Sequence, residues 1–250
     1  MKITFLGTSA GMPDADRHCS CTMIEVGERI YFVDTGAPMT DAIRQHAIDP
    51  SRIKAVFHTH CHSDHTVGLL QLLDTCTWFY RKITDFDFYV TEQVIADTMM
   101  PCVSAMEEGR EFPIERLRPH VAHAGEVYND GVLKATYIPT HHCDPHPSYA
   151  ILLEAEGKAV LFSGDLSKNL EKSDFPTVAS ERELDLFVCE MAHFPPEILA
   201  PHFATCRAKQ VRINHFCPPE KIEQTAALAK EQGYPFPIVF ARDNDTVEID

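Results

Sequence analysis

The stretch Phe57-His58-Thr59-His60-Cys61-His62-Ser63-Asp64-His65-Thr66-Val67-Gly68 constrains this chain more than any other. His60, His62, Asp64 and His65 put four side chains able to bind a metal within six residues, in the spacing H-x-H-x-D-H. A neutral imidazole offers a nitrogen lone pair and a carboxylate offers charge, so the set suits a divalent transition metal. A single tetrahedral site does not need all four if other ligands arrive from elsewhere. The spacing therefore reads as two half-sites, His60 with His62 and Asp64 with His65. The plain alternative is a His-rich surface loop. Against it stands the apolar run Ile53–Phe57, a buried strand in this reading, which delivers the cluster from its carboxyl end.

The strand pattern repeats elsewhere. Residues 2–6 read as a strand ending in the small-residue loop Gly7–Pro13, and residues 21–26 and 29–34 read as a hairpin around Gly27-Glu28. Further strands are expected at Asp85–Val90, Leu133–Ile138, Tyr149–Glu154, Ala159–Phe162, Leu184–Val188, Gln210–Asn214 and Ile238–Ala241. Helices are expected at Pro38–His46, Val67–Tyr80, Glu92–Met100 and Pro219–Gln232, with Asp64 and His65 at the start of the second. The Pro-punctuated stretch 101–120 yields no assignment. Strand-rich halves with interspersed helices, and no sequence repeat or linker, suggest two packed sheets covered by helices in one domain, residues 1–250.

The second half offers partners for the cluster, each just past an expected strand: His142, Asp165 in Ser163-Gly164-Asp165, and His215. Ends of strands are where ligands converge above a rigid sheet. His60, His62 and His142 fit one metal; Asp64, His65 and His215 fit another; Asp165 bridges them. Asp34, at the end of its strand, is either a turn residue or a carboxylate standing behind the ligands. His58 and His141 read as neighbours of ligands, and His146 as an exposed turn residue. Cys61 and Cys143 are expected to point away from the site, while Cys217 can face the same way as His215.

These motifs resemble the metallo-β-lactamase-fold hydrolase superfamily along almost the whole chain. The resemblance implies a four-layer αββα sandwich of two mixed β-sheets flanked by helices, an α/β (α+β) fold. It also implies a dinuclear site at one edge, two divalent metal ions, usually zinc and sometimes manganese or iron. Phe5–Pro13, Arg17-x-x-Ser20 and His142 followed by Tyr149 resemble the ribonuclease Z and phosphodiesterase branch. In that branch a carboxylate and a histidine between the bridging aspartate and the last ligand serve the leaving group. Glu190 and His202 fall in that order here, with His193 the competing histidine. The candidate catalytic residues are thus Asp64, Glu190 and His202. Only 23 positions separate His142 from Asp165, too few for the tRNA-gripping arm that ribonuclease Z inserts there. Cys19-x-Cys21 lacks the third cysteine of the structural zinc site found in a cyclic-phosphodiesterase relative.

The expected activity is hydrolysis of a phosphodiester. Lactonase or thioesterase chemistry is the rival on the same metals, although Lys168 stands where lactonases of this superfamily often place tyrosine. A metal-binding protein without turnover is the rival of another class. Lys and Arg number 22 against 37 Asp and Glu, so the net charge of −15 disfavours long nucleic acid and favours a small-molecule or short phosphodiester substrate. No secretory leader and no membrane-spanning run are legible. With an odd count of nine cysteines, this points to reduced thiols and a cytoplasmic protein, a homodimer remaining open. The loops around 8–20, 76–92, 101–125 and 143–148 are expected to line the pocket.

Overall fold

A computed structural model of the chain describes residues 1–109 and 115–250. Two seven-stranded sheets form its centre. The first contains β1 (Lys2–Gly7), β2 (Cys21–Val26), β3 (Arg29–Thr35), β4 (Ile53–Phe57), β5 (Phe86–Val90), β6 (Leu117–Val121) and, last in the chain, β14 (Thr246–Glu248), in the order β14-β1-β2-β3-β4-β5-β6. The second contains β7 (Gly125–Asn129), β8 (Lys134–Thr140), β9 (Ser148–Ala155), β10 (Lys158–Phe162), β11 (Leu186–Met191), β12 (Val211–Phe216) and β13 (Ile238–Phe240), in reverse order from β13 to β7. Each sheet is antiparallel through three pairings and parallel through the next three, changing at β3/β4 and at β10/β11. The two halves thus share a plan although their sequences show no repeat.

Side-chain alternation builds the layers. Ile3, Phe5, Ile24, Tyr31, Val33 and Phe57 of the first sheet face Tyr137, Ile151, Leu153, Val160, Phe162 and Val188 of the second in one core. The alternate residues Ile30, Phe32 and Val56 turn outward onto Leu69, Leu72 and Leu73 of α2 (Ser63–Trp78), with α1 (Met39–Gln45) and α3 (Gln93–Met106) beside it. On the other flank, Phe187, Cys189 and Ile213 meet α4 (Val178–Glu181) and α5 (Pro196–Phe203), and α6 (Lys221–Gln232) packs beside α5. The order helix–sheet–sheet–helix is the expected αββα sandwich. No helix among the described residues is long and apolar enough to cross a membrane.

Several element boundaries differ from expectation for local reasons. Helix α2 begins at Ser63 rather than Val67, so Asp64 and His65 lie inside its first turn, where a carboxylate complements the helix dipole. Helix α3 continues to Met106 through Pro101. Strand β7 is an edge strand with mostly exposed residues, so it carries no apolar alternation to read. Helix α5 is bracketed and interrupted by Pro195, Pro196 and Pro201, which mask its periodicity.

Candidate metal centre and active site

Three nitrogens from two sheets converge first. His60 Nε2 lies 3.1 Å from His62 Nδ1, and His142 Nε2 lies 3.3 Å from the same atom. Ligand nitrogens about 2.0–2.1 Å from a tetrahedral zinc stand about 3.3 Å apart, so these three already sit at metal-site spacing. A second group follows from α2 and β12: His65 Nε2 is 3.6 Å from Asp64 Oδ2, which is 4.0 Å from His215 Nε2. Asp165 lies between the groups. Its Oδ2 is 3.7 Å from both His60 Nε2 and His142 Nε2 and 3.1 Å from His215 Nε2, while its Oδ1 is 3.4 Å from His65 Nε2. All seven side chains expected from the sequence are brought together, in the two expected groups.

The outward nitrogen of each ring is also held. His60 Nδ1 is 3.1 Å from Thr59 Oγ1, His142 Nδ1 donates to Leu166 O at 3.1 Å, and His215 Nδ1 is 2.8 Å from Ser20 Oγ. His65 Nδ1 donates to Asp34 Oδ2 at 2.7 Å, and the other oxygen of Asp34 accepts from Thr59 N. Asp34 is therefore a carboxylate behind the candidate ligand His65 rather than a turn residue. Such outer hydrogen bonds fix which nitrogen faces the centre. His62 turns its Nε2 toward Cys143 Sγ at 3.8 Å. This corrects the expectation that Cys143 points away: the turn 141–147 folds back over His62. Burial pushes that thiol up to about 12, and its sulfur lies within ligand distance of His60, His62 and His142. His58 is fully buried between Thr35 Oγ1 and Tyr89 O and takes no part, and Cys217 is exposed.

The donor set fits divalent cations. His65 Nε2 and Asp165 Oδ1 are buried without hydrogen-bond partners, at the spot where the two groups meet. Burial and neighbouring imidazoles hold His60 well below the ordinary histidine range, which keeps its lone pair free. Burial pushes the Asp165 carboxyl up, but His215 and His65 outweigh it and hold it well below the usual carboxylate range. Asp34, Asp64 and Asp165 concentrate negative charge that a cation would neutralise. His60, His65, Asp165 and His215 form the buried floor; His62, Asp64, His142 and His193 form the more open rim.

His193 is the residue that sequence reasoning ranked second. Its Nδ1 donates to Glu190 Oε1 at 2.8 Å, and its Nε2 faces Asp165 Oδ2 at 3.9 Å. Glu190 is 2% exposed, and it also accepts from the backbone N–H groups of Leu166, Ala192 and His193. Burial opposes charge on His193, but the bond to Glu190 and the charges of Glu190 and Asp165 raise it to about 9. His202, expected to pair with Glu190, lies on α5 with its ring stacked on Phe175 at 4.4 Å. The i, i+3 turn after β11 lets Glu190 reach His193 instead. A Glu three residues before a His at a strand end was the available signal.

The 8–20 loop completes the wall. A Cβ on Gly11 would come 3.4 Å from Asp64 Oδ2. Arg17 donates to Thr8 O and Phe216 O and covers the Phe216 ring at 4.0 Å, fastening the loop beside His215. Within the 101–125 stretch expected at the pocket, residues 110–114 lie outside the described residues.

Comparison with known proteins agrees with this fold. Residues 1–200 match the model of the family described as Anti-Pycsar protein Apyc1. A ribonuclease Z from Thermosynechococcus vestitus is 30% identical over 156 residues, covering 60% of this chain and 36% of that protein. The chain spans 36%, 47% and 43% of the first three curated relatives it matches, less than half of each. Among solved structures, the short form of human tRNase Z has a TM-score of 0.76 at 19% identity, covering 100% of both chains. The metallo-β-lactamase fold protein YhfI from Bacillus subtilis has 0.75 at 16%, covering 99% of both. With a family model matching most of its length, the chain belongs to the family of the Anti-Pycsar protein Apyc1, and it has the ribonuclease Z-like metallo-β-lactamase fold.

Proposed function

We propose that this chain is a single-domain phosphodiesterase that holds two divalent metal ions, zinc by preference, and cleaves a small or short phosphodiester. The observation that carries the reading is the placement of the Glu190–His193 pair beside the carboxylate that joins the two ligand groups. His60, His62 and His142 would hold one ion, Asp64, His65 and His215 the other, with Asp165 shared. When bound, such a pair of ions supplies charge neutralisation for the phosphate oxygens and an activated water. His193 holds a proton at Nε2, aimed over Asp165, and gives it to the leaving oxygen; Glu190 fixes the ring through Nδ1 and supports the positive charge. The buried floor excludes bulk water from the inner face of the site.

The interval between His142 and Asp165 is filled by the β9–β10 hairpin, with a tight turn at Glu156-Gly157 and no arm to grip a long RNA. The net charge of −15 repels a polyanion. Curated relatives are ribonucleases, and one structural neighbour is described as a diphosphatase of the PhnP family, so phosphoryl chemistry recurs around this chain.

The test is hydrolysis of bis(p-nitrophenyl) phosphate by zinc- or manganese-loaded protein, beside a lactone and a thioester, with Asp165→Ala as the blank. Metal-dependent turnover of the diester alone is expected, and 3′,5′-cyclic nucleotides and short RNA are the next substrates to screen. Turnover of only the esters would replace this reading with acyl hydrolysis.

A further inference from the structure

Lys221 breaks two local rules at once. It is the first residue of α6, where a cation opposes the helix dipole, and it is 8% exposed, the one lysine among the buried side chains of the described residues. It has no acidic partner within ion-pair distance among the described residues. Its ammonium instead donates to the carbonyls of Met191 at 2.7 Å and Ala192 at 3.0 Å. Those two residues are the whole span between Glu190 and His193. The same helix reaches this turn a second time, through Thr225 Oγ1 at 3.1 Å from Met191 Sδ.

We propose that Lys221 is a positioning residue for the leaving-group histidine: its ammonium clamps the 191–192 carbonyls and so sets the direction in which His193 Nε2 points. Glu190 holds the same turn from the other side, through the N–H groups of Ala192 and His193. The turn is thus gripped by its carbonyls from Lys221 and by its amides from Glu190. Burial works against the Lys221 charge and the Glu190 carboxylate supports it, so the cation belongs electrostatically to the catalytic pair rather than to its own helix. A residue kept only for stability would be better apolar at this site.

The proposal rests on His193 being the proton donor, and the experiment separates the two. Lys221→Met, Lys221→Arg, His193→Ala and the Lys221→Met/His193→Ala double variant are compared as metal-loaded proteins on bis(p-nitrophenyl) phosphate, whose leaving group departs without a proton. Diphenyl phosphate, whose leaving group needs one, is the second substrate. In Lys221→Met, kcat on diphenyl phosphate is expected to fall about 10-fold or more, with KM, metal content and the p-nitrophenyl rate little changed. Lys221→Arg is expected to restore most of it, and the double variant to be no slower than His193→Ala. Imidazole NMR of His193 gives a readout independent of turnover: the Nδ1 proton bonded to Glu190 should shift in Lys221→Met. Equal loss on both substrates, or an unchanged His193 signal with unchanged kcat, overturns the role of Lys221. A wild type that cleaves neither diester overturns the phosphodiesterase reading instead.

Discussion

Asp34 takes a backbone φ of 59°, and His215 one of 49°, left-handed conformations that cost a non-glycine residue about 1 kcal/mol or more. Both side chains lie at the candidate metal centre, one holding His65 and the other a candidate ligand. Asparagine tolerates the left-handed region, so Asp34→Asn keeps the backbone but removes the charge behind His65. It is expected to weaken metal retention about 10–100-fold, measured by dialysis against a chelator series. His193→Ala is expected to retain both metals while kcat falls about 10²–10⁴-fold on a substrate whose leaving group needs a proton. His202→Ala, which removes a ring packed on Phe175, should leave turnover near the wild-type rate. The candidate ligand cluster was legible because its residue types and spacing carry the chemistry. The partner of Glu190 was harder to read: the i, i+3 spacing to His193 was there, but the choice between His193 and His202 depends on how the chain turns after Met191.

At the scale of elements, the cluster is held by the approach of α2 to the end of β3. A Cβ on Gly68 would lie 2.3 Å from both Thr35 O and Ala37 O, and one on Gly36 would lie 1.8 Å from Asp64 O. The glycine that closes the motif is therefore a packing requirement, letting the start of α2 lie against the end of β3, which carries Asp34. Gly68→Ala is expected to destabilise the fold by about 1–3 kcal/mol, read by thermal unfolding, and to lose metal because Asp64 and His65 move with the helix. The apolar strands and the amphipathic α2 were readable from periodicity. The polar edge strand β7, the short β14 and the proline-rich α5 were not, because tertiary pairing and covering, rather than local pattern, stabilise them.

At the scale of the whole molecule, the two sheets are stitched at both ends of the core. At the site, Tyr149 N donates to Thr59 O and His215 N donates to Thr8 O, so each half holds a strand end of the other. At the other end, Tyr31 of the first sheet donates to Asp130 of the β7–β8 turn at 2.7 Å, beside Arg29 and Tyr128. Burial pushes the Asp130 carboxyl up, but the Leu133 N–H, the Tyr31 hydroxyl, the Val132 N–H and the Arg29 guanidinium hold it down to about 2. Because this value lies below that of the unfolded chain, the contribution is complete above about pH 4. It is lost as pH falls through about 2. Asp130→Ala is expected to cost about 1–3 kcal/mol at neutral pH, and the variant's deficit in urea unfolding should shrink between pH 4 and 2. A deficit that does not change over that range would mean that the carboxylate's charge contributes nothing.

Both halves of the chain supply candidate ligands to the centre, so metal content reports on the whole architecture. The most direct measurement is titration of metal-free protein with zinc or manganese, following bound metal and bis(p-nitrophenyl) phosphate turnover together. Turnover that saturates as the second equivalent binds, and that is absent in Asp165→Ala, is the predicted result. Saturation at one equivalent, or two bound ions with no turnover of any diester, would contradict the account.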